Sequence, residues 1–292
     1  MKTFSVGILF YKRLNDIIAL FQCLSKSSLK FELILLNNDN IDISNEVDFI
    51  NNNDNIDFKY IHHFNNYGVA KGRNIIIENS SNDILIFLDD DVVFDDFNNI
   101  LLQCNQYFLS DSKLCAIAFK IISFDNKNIV KHEFPHSNLQ KTNCDFNTYY
   151  IIGAGNAIRK EFLNEHRFPT DFGLYGMEEI DLSYRIINSG LKILYSSSII
   201  IEHKRSVNGR LLPLDVIFRN TVNRCCIAIK YLKPYYIITC FIFWSCYYLK
   251  KGGNPFRILS AFNIFINAYK QRKPFDDVFY KTIKDLNGRI IY

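Results

Sequence analysis

The stretch Ile84-Leu85-Ile86-Phe87-Leu88-Asp89-Asp90-Asp91 decides the fold class of this chain. Its first five residues form an unbroken apolar run, which is typical of a strand buried on both faces of a parallel sheet. The three adjacent carboxylates that follow repel one another unless a cation or a solvated turn relieves them. Because open α/β sheets bind ligands at the carboxyl ends of their strands, the stretch predicts either a divalent-metal site or an acidic, solvated turn.

The segments before this stretch alternate between strand and helix patterns. Residues 3–10 and 31–36 are strand-like, and residues 14–24 carry apolar side chains at helical spacing. A strand, a helix and a strand in this order form a βαβ unit with two parallel strands. Residues 37–57 are rich in Asn and Asp, which predicts a polar loop with one short helix near Glu46. We therefore expect an α/β fold with a Rossmann-like, mainly parallel sheet flanked by helices.

The composition indicates a folded protein. Of its 292 residues, 48% are hydrophobic and 22% are charged, which excludes an intrinsically disordered chain. The formal net charge of +4 is too small to indicate nucleic-acid binding. Most of the eight cysteines lie in apolar runs without a C-x-x-C pair, which favours buried free thiols in a reducing compartment. Residues 1–6 enter a strand pattern without a signal-peptide core, so we expect a cytoplasmic location.

Two glycine-containing segments have both a functional and a structural interpretation. In residues 65–74, Gly68 and Gly72 permit close backbone approach at a helix start, and Arg73 places positive charge there for a diphosphate. The same pattern fits an ordinary helix start with solvated basic side chains, and it is not a P-loop. Gly155, in a later small-residue segment, fits either a backbone passing close to a ligand or a tight strand bend.

A second acidic cluster begins a predicted helix at Glu178 and Glu179. Two acidic residues in a first turn are also explained by the helix dipole alone. Glu178 and Asp181 lie on one face, so one of them can pair with Arg185 instead of taking part in chemistry. His203 follows a strand-like segment and is either an ordinary strand-end histidine or a ligand.

Together these motifs resemble a family 2 glycosyltransferase of the GT-A fold, especially the bacterial rhamnosyltransferase-like members. The order of the motifs makes the resemblance specific, and it covers roughly residues 3–223. The motifs are Phe10-Tyr11 after the first strand, Leu35-Leu36-Asn37-Asn38 after the second, the helix start Asn66 to Asn74, Phe87 to Asp91, Gly176 to Arg185, and His203.

The resemblance implies a role for each motif. Asp89 and Asp91 resemble the D-x-D pair that binds Mg²⁺ or Mn²⁺, with His203 as a further metal contact. Glu179 aligns with the general base, next to Glu178, although members commonly have Asp at the position of Glu179. The expected contacts to the nucleotide-sugar are Tyr11, Asn37, Arg73, Asp89, Asp90 and Gly155. Asn37 departs from the Asp that is common in the family, which leaves the preferred nucleotide open.

The last third of the chain differs in character from the rest. Residues 235–249 are almost uninterrupted apolar and aromatic residues, fewer than the ~20 that span a bilayer. Lysines flank this run on both sides, which favours a helix lying in a membrane interface. Core helices that pack on the catalytic domain or on a second subunit are the alternative. We expect a catalytic domain at 1–212, a helical extension at 213–292, and peripheral membrane contact through residues 230–257.

We predict a metal-dependent inverting glycosyltransferase. It moves a sugar from a nucleotide-diphosphate donor to a saccharide, plausibly a lipid-linked glycan of a surface polysaccharide, at the inner face of the cell membrane and without nucleic acid. Residues 125–148 are expected to begin the acceptor site. A sugar-phosphate nucleotidyltransferase is the first alternative, but the loop Tyr11-Lys12-Arg13-Leu14 lacks the glycines that it needs. A non-catalytic binder of membranes or nucleic acid is the second, and it leaves the two acidic clusters unexplained.

Overall fold

The computed structural model describes residues 1–136, 141–206, 208 and 211–290. Its strands form one nine-stranded mixed sheet with helices on both faces. The strands are β1 Phe4–Phe10, β2 Phe31–Asn37, β3 Ile56–His62, β4 Ile84–Asp89, β5 Val92–Val93, β6 Leu114–Ser123, β7 Phe146–Thr148, β8 Gly155–Arg159 and β9 Lys192–His203. The helices are α1 Leu14–Leu24, α2 Ser44–Val47, α3 Gly68–Asn79, α4 Phe97–Ser110, α5 Lys160–Glu165, α6 Glu178–Asn188, α7 Pro213–Tyr231, α8 Pro234–Lys250, α9 Pro255–Ser260, α10 Phe262–Lys270 and α11 Asp277–Asp285.

The strand order is β3-β2-β1-β4-β8-β6-β9-β5, with β7 on the outer side of β9. The first four strands are parallel, as the βαβ pattern predicts, and β6 and β9 are parallel to each other. β8 lies antiparallel between β4 and β6. The apolar run of β4 is buried along its length, because strands cover both edges and helices cover both faces. The predicted α/β class, with a mainly parallel sheet and a helical C-terminal region, is confirmed.

The short strand β5 determines where the acidic turn lies. It continues directly from Asp91 and pairs antiparallel with the end of β9, so that Val92 lies opposite His203. β9 is one continuous strand rather than two strand-like pieces, and its register against β6 shifts twice along its length. As a result, two segments more than a hundred residues apart in sequence meet at one corner of the sheet.

Two helices of the C-terminal third belong to the core. Residues 221–230 of α7 are buried on all sides of the helix, and the Asn223 side-chain amide donates hydrogen bonds to the carbonyls of Phe172 and Gly176, just before α6. On α11, Phe279 packs edge-on against Tyr184 of α6 at 5.3 Å between ring centroids. Asn223 thus fixes the backbone that leads into α6, and Phe279 packs against the helix itself. The division of the chain at residue 212 stays a prediction.

Helices α8, α9 and α10 leave many large apolar side chains exposed. On α8 only Cys240 and Tyr248 are buried. Within the described residues, none of the helices combines the length and the apolar character that crossing a bilayer requires. Lys230, which begins the predicted membrane contact, is buried and paired with Asp171 at 2.7 Å, so the exposed apolar face starts after it, at Tyr235.

The thiols are only partly as predicted. All eight cysteines are free, as expected. Five are buried, but Cys246 is exposed, because it lies on the outer face of α8 and not in the core. Cys144 is also exposed.

Candidate active site

The acidic turn, Asp89 to Asp91, lies at the carboxyl end of β4, where the sheet pairing brings His203 beside it. One ligand atom from each of Asp89, Asp91 and His203 lies within 4.8 Å of the other two. His203 Nε2 is 3.2 Å from Asp91 Oδ1 and 3.9 Å from Asp89 Oδ2. The three residues that the sequence indicates as metal ligands are therefore brought together by the fold.

Arg13 neutralises much of the negative charge of the turn. Its guanidinium Nη1 lies 2.6 Å from Asp90 Oδ1 and 3.2 Å from Asp91 Oδ2. Burial raises the pKa of Asp90 to about 7, although Arg13 acts in the opposite direction. Burial also disfavours ionisation of Asp91, but His203 and Arg13 outweigh it and lower the pKa of that carboxyl. Asp90 thus lies inside the protein against Arg13, whereas Asp89 opens towards solvent.

His203 is held from both sides of its ring. Burial alone would lower its pKa, but the carboxylates of Asp91 and Glu133 raise it to about 10. Its Nδ1 lies 2.8 Å from Glu133 Oε1. Without a metal the imidazolium therefore offsets the charge of the carboxylates around it, and a bound cation would replace that proton.

The glutamate pair begins α6, as predicted, and its two members have different surroundings. The Glu178 side chain is 2% exposed and the Glu179 side chain 18% exposed. Burial, together with the neighbouring Glu179 charge, raises the pKa of Glu178 to about 8. Arg185 pairs with Asp181, at 2.8 Å from Nε to Oδ1, so that neither glutamate is used by this arginine. Glu179 is thus the more accessible member of the pair, and its role as the base stays a prediction.

Arg73, on α3, connects the two acidic clusters. Its Nη1 lies 2.6 Å from Glu179 Oε1 and 3.9 Å from Glu178 Oε1, and its Nη2 lies 3.9 Å from Asp89 Oδ1. The guanidinium is buried beside the rings of Phe87 and Phe168, whose centroids lie 5.7 Å and 5.4 Å from its carbon atom. Burial would lower the pKa of Arg73, but the surrounding carboxylates raise it well above its ordinary value. Arg73 is therefore a permanent positive charge between the predicted metal ligands and the predicted base.

The structure separates the roles of two nearby glycines. A β-carbon on Gly153 would overlap Glu179 Oε1 and lie 3.3 Å from Arg73 Nη2. A β-carbon on Gly155 would lie 2.9 Å from Ile201 Cδ1 in the sheet core. Gly153, which the sequence did not single out, thus leaves room for the active-site carboxylate. Gly155 is explained by strand packing, and its predicted contact with the donor stays a prediction.

The other predicted donor contacts lie at the same edge of the sheet. The backbone N–H of Tyr11 donates to Asp90 Oδ2 at 3.0 Å, so Tyr11 directly follows β1 beside the acidic turn. Asn37 is fully buried at the end of β2, where its amide donates to Ile41 O and Tyr60 Oη and its oxygen accepts from the N–H of Asp39. Its hydrogen bonds shape the loop after β2. Contact of either residue with a nucleotide base stays a prediction.

Sequence reasoning missed Arg13, Glu133, Gly153 and Asn223. A signal existed for Arg13, since it follows the first strand and the first and fourth strands of such a sheet are neighbours. Glu133 lies in an irregular polar stretch and carries no comparable signal. Four residues of that stretch, 137–140, lie outside the described part of the chain.

The residues of the acidic turn fit a divalent cation. Asp91 Oδ1 is buried and makes no hydrogen bond of good geometry among the described residues, although His203 Nε2 lies 3.2 Å from it. It faces the His203 nitrogen and the more open Asp89 carboxylate, a set of hard oxygen and nitrogen donors. A cation here would satisfy the buried oxygen and relieve the repulsion between Asp89 and Asp91.

Sequence comparison decides between the predicted classes. The description Glycosyl transferase family 2 matches residues 5–167, more than half of the chain. The chain belongs to this family. This glycosyltransferase is also 38% identical over 169 residues to an uncharacterized protein of Haemophilus influenzae. The aligned residues make up 55% of this chain and 89% of the Haemophilus protein. Family membership makes the protein a glycosyltransferase rather than a nucleotidyltransferase or a non-catalytic binder.

Solved structures show the same fold at low sequence identity. GalNAc-T7 with UDP, GalNAc and Mn²⁺ superposes with a TM-score of 0.67 at 14% identity over 98% of this chain and 57% of that one. Mannosyltransferase PcManGT from Pyrobaculum calidifontis, in complex with GDP-Man and Mn²⁺, superposes with a TM-score of 0.58 at 12% identity, over 78% of this chain and 62% of that one. S. aureus TarS 1-349 superposes with a TM-score of 0.60 at 15% identity, over 91% of this chain and 81% of that one. The family 2 enzyme thus spans less than two thirds of the first two proteins, and the GT-A fold is confirmed.

Proposed function

We propose that this glycosyltransferase moves a sugar from a nucleoside-diphosphate sugar to a hydroxyl of a saccharide, with Mg²⁺ or Mn²⁺ and with inversion at the anomeric carbon. One observation carries the proposal. Arg73 lies between the metal-binding cluster and Glu179, at 3.9 Å from Asp89 and 2.6 Å from Glu179. A donor diphosphate bound at the cluster and an acceptor hydroxyl at Glu179 would therefore both lie next to the Arg73 guanidinium.

In the proposed reaction the acceptor oxygen attacks the anomeric carbon from the side opposite the diphosphate. The bond from that carbon to the diphosphate oxygen breaks, and its electron pair leaves with the nucleoside diphosphate. Glu179 takes the proton of the attacking hydroxyl as the general base. A cation held by Asp89, Asp91 and His203 would offset the charge of the leaving group. Arg73 orients Glu179 and adds a fixed positive charge on the phosphate side.

Glu179 is a better candidate for the base than Glu178. Its side chain is 18% exposed, whereas that of Glu178 is 2% exposed and its raised pKa favours the protonated form. A base must reach the hydroxyl and be ionised at working pH. Glu178 meets neither requirement, so we assign it a supporting role beside Arg73.

The donor is proposed by chemistry and by likeness of fold. Similar folds were solved with GDP-Man, with UDP and with UDP-GlcNAc, so the nucleotide base is the variable to test. Tyr11 and Asn37 are proposed to lie near that base, since both follow strands at the ligand edge of the sheet.

A thermal-shift screen tests the donor proposal. The purified protein is heated with UDP, GDP, CDP or dTDP, each in Mn²⁺, in Mg²⁺ or in EDTA. Binding to the native state alone raises apparent stability. We expect one nucleotide to raise the melting temperature only when a cation is present. A folded protein that responds to no nucleotide would contradict the proposal.

We further propose a lipid-linked glycan of a surface polysaccharide as the acceptor, with the enzyme at the inner face of the cell membrane. The sequence has no Asp or Glu between Asp215 and Asp276, whereas Lys250, Lys251 and Lys270 are exposed there. A surface with apolar and basic but no acidic side chains is complementary to an anionic bilayer.

The exposed apolar residues supporting this contact recur at helical spacing on three consecutive helices. The most exposed is Phe256, at 75%, which exceeds what a core helix would leave in water. The stripe on α8 consists of Tyr235, Ile238, Ile242 and Leu249, and the stripe on α9 and α10 of Phe256, Leu259, Phe262, Ile266 and Tyr269. The second stripe extends the proposed contact beyond the 230–257 range expected from sequence.

Sedimentation with lipid vesicles tests this contact. We expect the protein to sediment with phosphatidylglycerol vesicles more than with phosphatidylcholine vesicles, and the double variant I242S/F262S to lose most of that binding. The control is L102S/L109S, two comparably exposed leucines on α4 in the catalytic domain. No binding to either vesicle, together with a concentration-dependent dimer that I242S/F262S abolishes, would assign this face to a second copy instead.

A further inference from the structure

Glu133 is a buried carboxylate that the proposed reaction does not use directly. It ends a short 3-10 turn, Lys131–Glu133, between β6 and β7, and it is 9% exposed. Oε1 lies 2.8 Å from His203 Nδ1, and Oε2 accepts a hydrogen bond from Arg205 Nη2 at 2.8 Å. Both carboxylate oxygens therefore contact the end of β9 and the residues that follow it.

The two nitrogens of His203 face different partners. Nδ1 meets Glu133, whereas Nε2 faces Asp91 and Asp89 in the metal-binding cluster. In a neutral imidazole one nitrogen donates and the other accepts. An acceptor carboxylate at Nδ1 keeps the proton there, which leaves the lone pair of Nε2 directed at the cluster.

We propose that Glu133 is a positioning residue that selects the metal-binding tautomer of His203 and fixes the ring orientation. This inference rests on the proposed metal dependence of the enzyme. Glu133 would not itself hold the cation, since it contacts Nδ1 of His203, whereas Nε2 faces Asp89 and Asp91. Its effect passes through the imidazole alone.

A purely structural role is the competing explanation. Arg205 has a left-handed backbone, with φ of 56°, and Glu133 holds its side chain. The N–H of the next residue, Ser206, donates to Asp91 Oδ2 at 2.8 Å. Loss of Glu133 could therefore disturb Asp91 through this segment instead of through His203. The two routes differ in whether the effect of Glu133 requires the imidazole.

A double-mutant cycle separates the two routes. Mn²⁺ binding to the nucleotide-free protein is measured by electron paramagnetic resonance for the wild type, E133A, H203A and E133A/H203A. Outer partners of metal-bound histidines typically contribute about 10–100-fold in affinity. We expect E133A to lose affinity in this range and to lose almost nothing further in the H203A background. An equal loss in both backgrounds would overturn the proposal.

Three further variants complete the experiment. E133Q keeps an acceptor for Nδ1–H, so it should recover part of the affinity lost in E133A. R205A removes the hydrogen bond between Arg205 and Glu133 but keeps the contact between Glu133 and the His203 imidazole. It should therefore bind Mn²⁺ nearly as well as the wild type. The control is E202Q, which removes a neighbouring charge whose carboxylate pairs with Lys127 at 2.6 Å. An affinity loss in R205A as large as in E133A would support the structural role and contradict ours.

The result also separates this inference from the proposed function. A wild-type protein that binds no Mn²⁺, with or without nucleotide, would contradict both. A wild-type protein that binds Mn²⁺ while E133A binds it equally well would overturn only the role of Glu133.

Discussion

The acidic turn after β4 and the glutamate pair at the start of α6 are both runs of adjacent carboxylates, and the protein neutralises them differently. In the turn, Arg13 and His203 each contact Asp91, which lowers the pKa of that buried carboxyl. At α6 Arg73 is the one ion-pair partner of the pair in the described part of the chain, 2.6 Å from Glu179 but 3.9 Å from Glu178, and the pKa of Glu178 is raised.

This difference shows how each cluster can serve its role. A buried carboxylate that stays ionised is available as a metal ligand. A buried carboxyl that is readily protonated leaves the charge of Arg73 to its neighbour Glu179, which lies 2.6 Å from the guanidinium. In both clusters the more exposed member, Asp89 or Glu179, is the one for which we propose contact with a ligand.

Replacing Asp91 should have the largest effect. D91A removes a buried ligand and leaves Arg13 and His203 without their shared partner, so we expect no metal-dependent nucleotide stabilisation and a loss of turnover above about a hundredfold. The control D95A removes an exposed acid four residues later. Thermal shifts with Mn²⁺ and EDTA measure the effect, and normal turnover by D91A would rule out its role.

Replacing Glu179 should affect chemistry while sparing donor binding. E179Q keeps the side-chain shape but cannot accept the proton, so kcat should fall by about 10²–10⁴-fold. Metal-dependent stabilisation by the nucleotide should remain. Steady-state kinetics alongside the thermal shift test this, and the matched variant E178Q should retain far more activity. Equal losses in the two variants would contradict the division of roles within the pair.

Two neighbouring glycines offer a smaller and sharper comparison. G153A places a methyl group against Glu179, so kcat should fall by up to about a hundredfold through misplacement of the base. G155A places the methyl group between Ile201 and Phe119 and should reduce the free energy of unfolding by about 1–3 kcal/mol instead. Kinetics and urea unfolding of both variants check the prediction. The assignment fails if G153A only destabilises the protein.

The smallest effect on turnover is expected for Glu178, where the pH dependence of stability is the readout. Its pKa rises from about 4.5 in the unfolded chain to about 8 in the folded protein. The fold therefore favours the protonated form, and this stabilisation is complete below pH 4.5 and lost as the pH rises towards 8. E178Q should lose less stability than the wild type between pH 5 and pH 8 in thermal melts. Identical slopes for the two proteins would show that Glu178 is not perturbed.

Much of the fold was predictable because its signals are local. The apolar run Ile84–Leu88 and the alternation of strand and helix before it indicated a mainly parallel sheet, since such sheets bury both faces of their strands. The same stretch indicated where the ligands lie, because a parallel sheet collects the carboxyl ends of its strands at one edge. The acidic turn was located in this way, whereas the roles predicted for Asp89, Asp91, Glu179 and His203 followed from the resemblance to the family.

Other features depend on pairings between distant parts of the chain. The Val92–His203 pairing, the Arg13–Asp90 ion pair and the Glu133–His203 contact join segments 111, 77 and 70 residues apart, and no local pattern specifies them. The sequence by itself determined the fold class, the family and the position of the acidic clusters. Only the tertiary structure decided which carboxylate of each cluster is buried, which cation neutralises it and which glycine faces the base. Burial and charge compensation are properties of the assembled neighbours and not of any one segment.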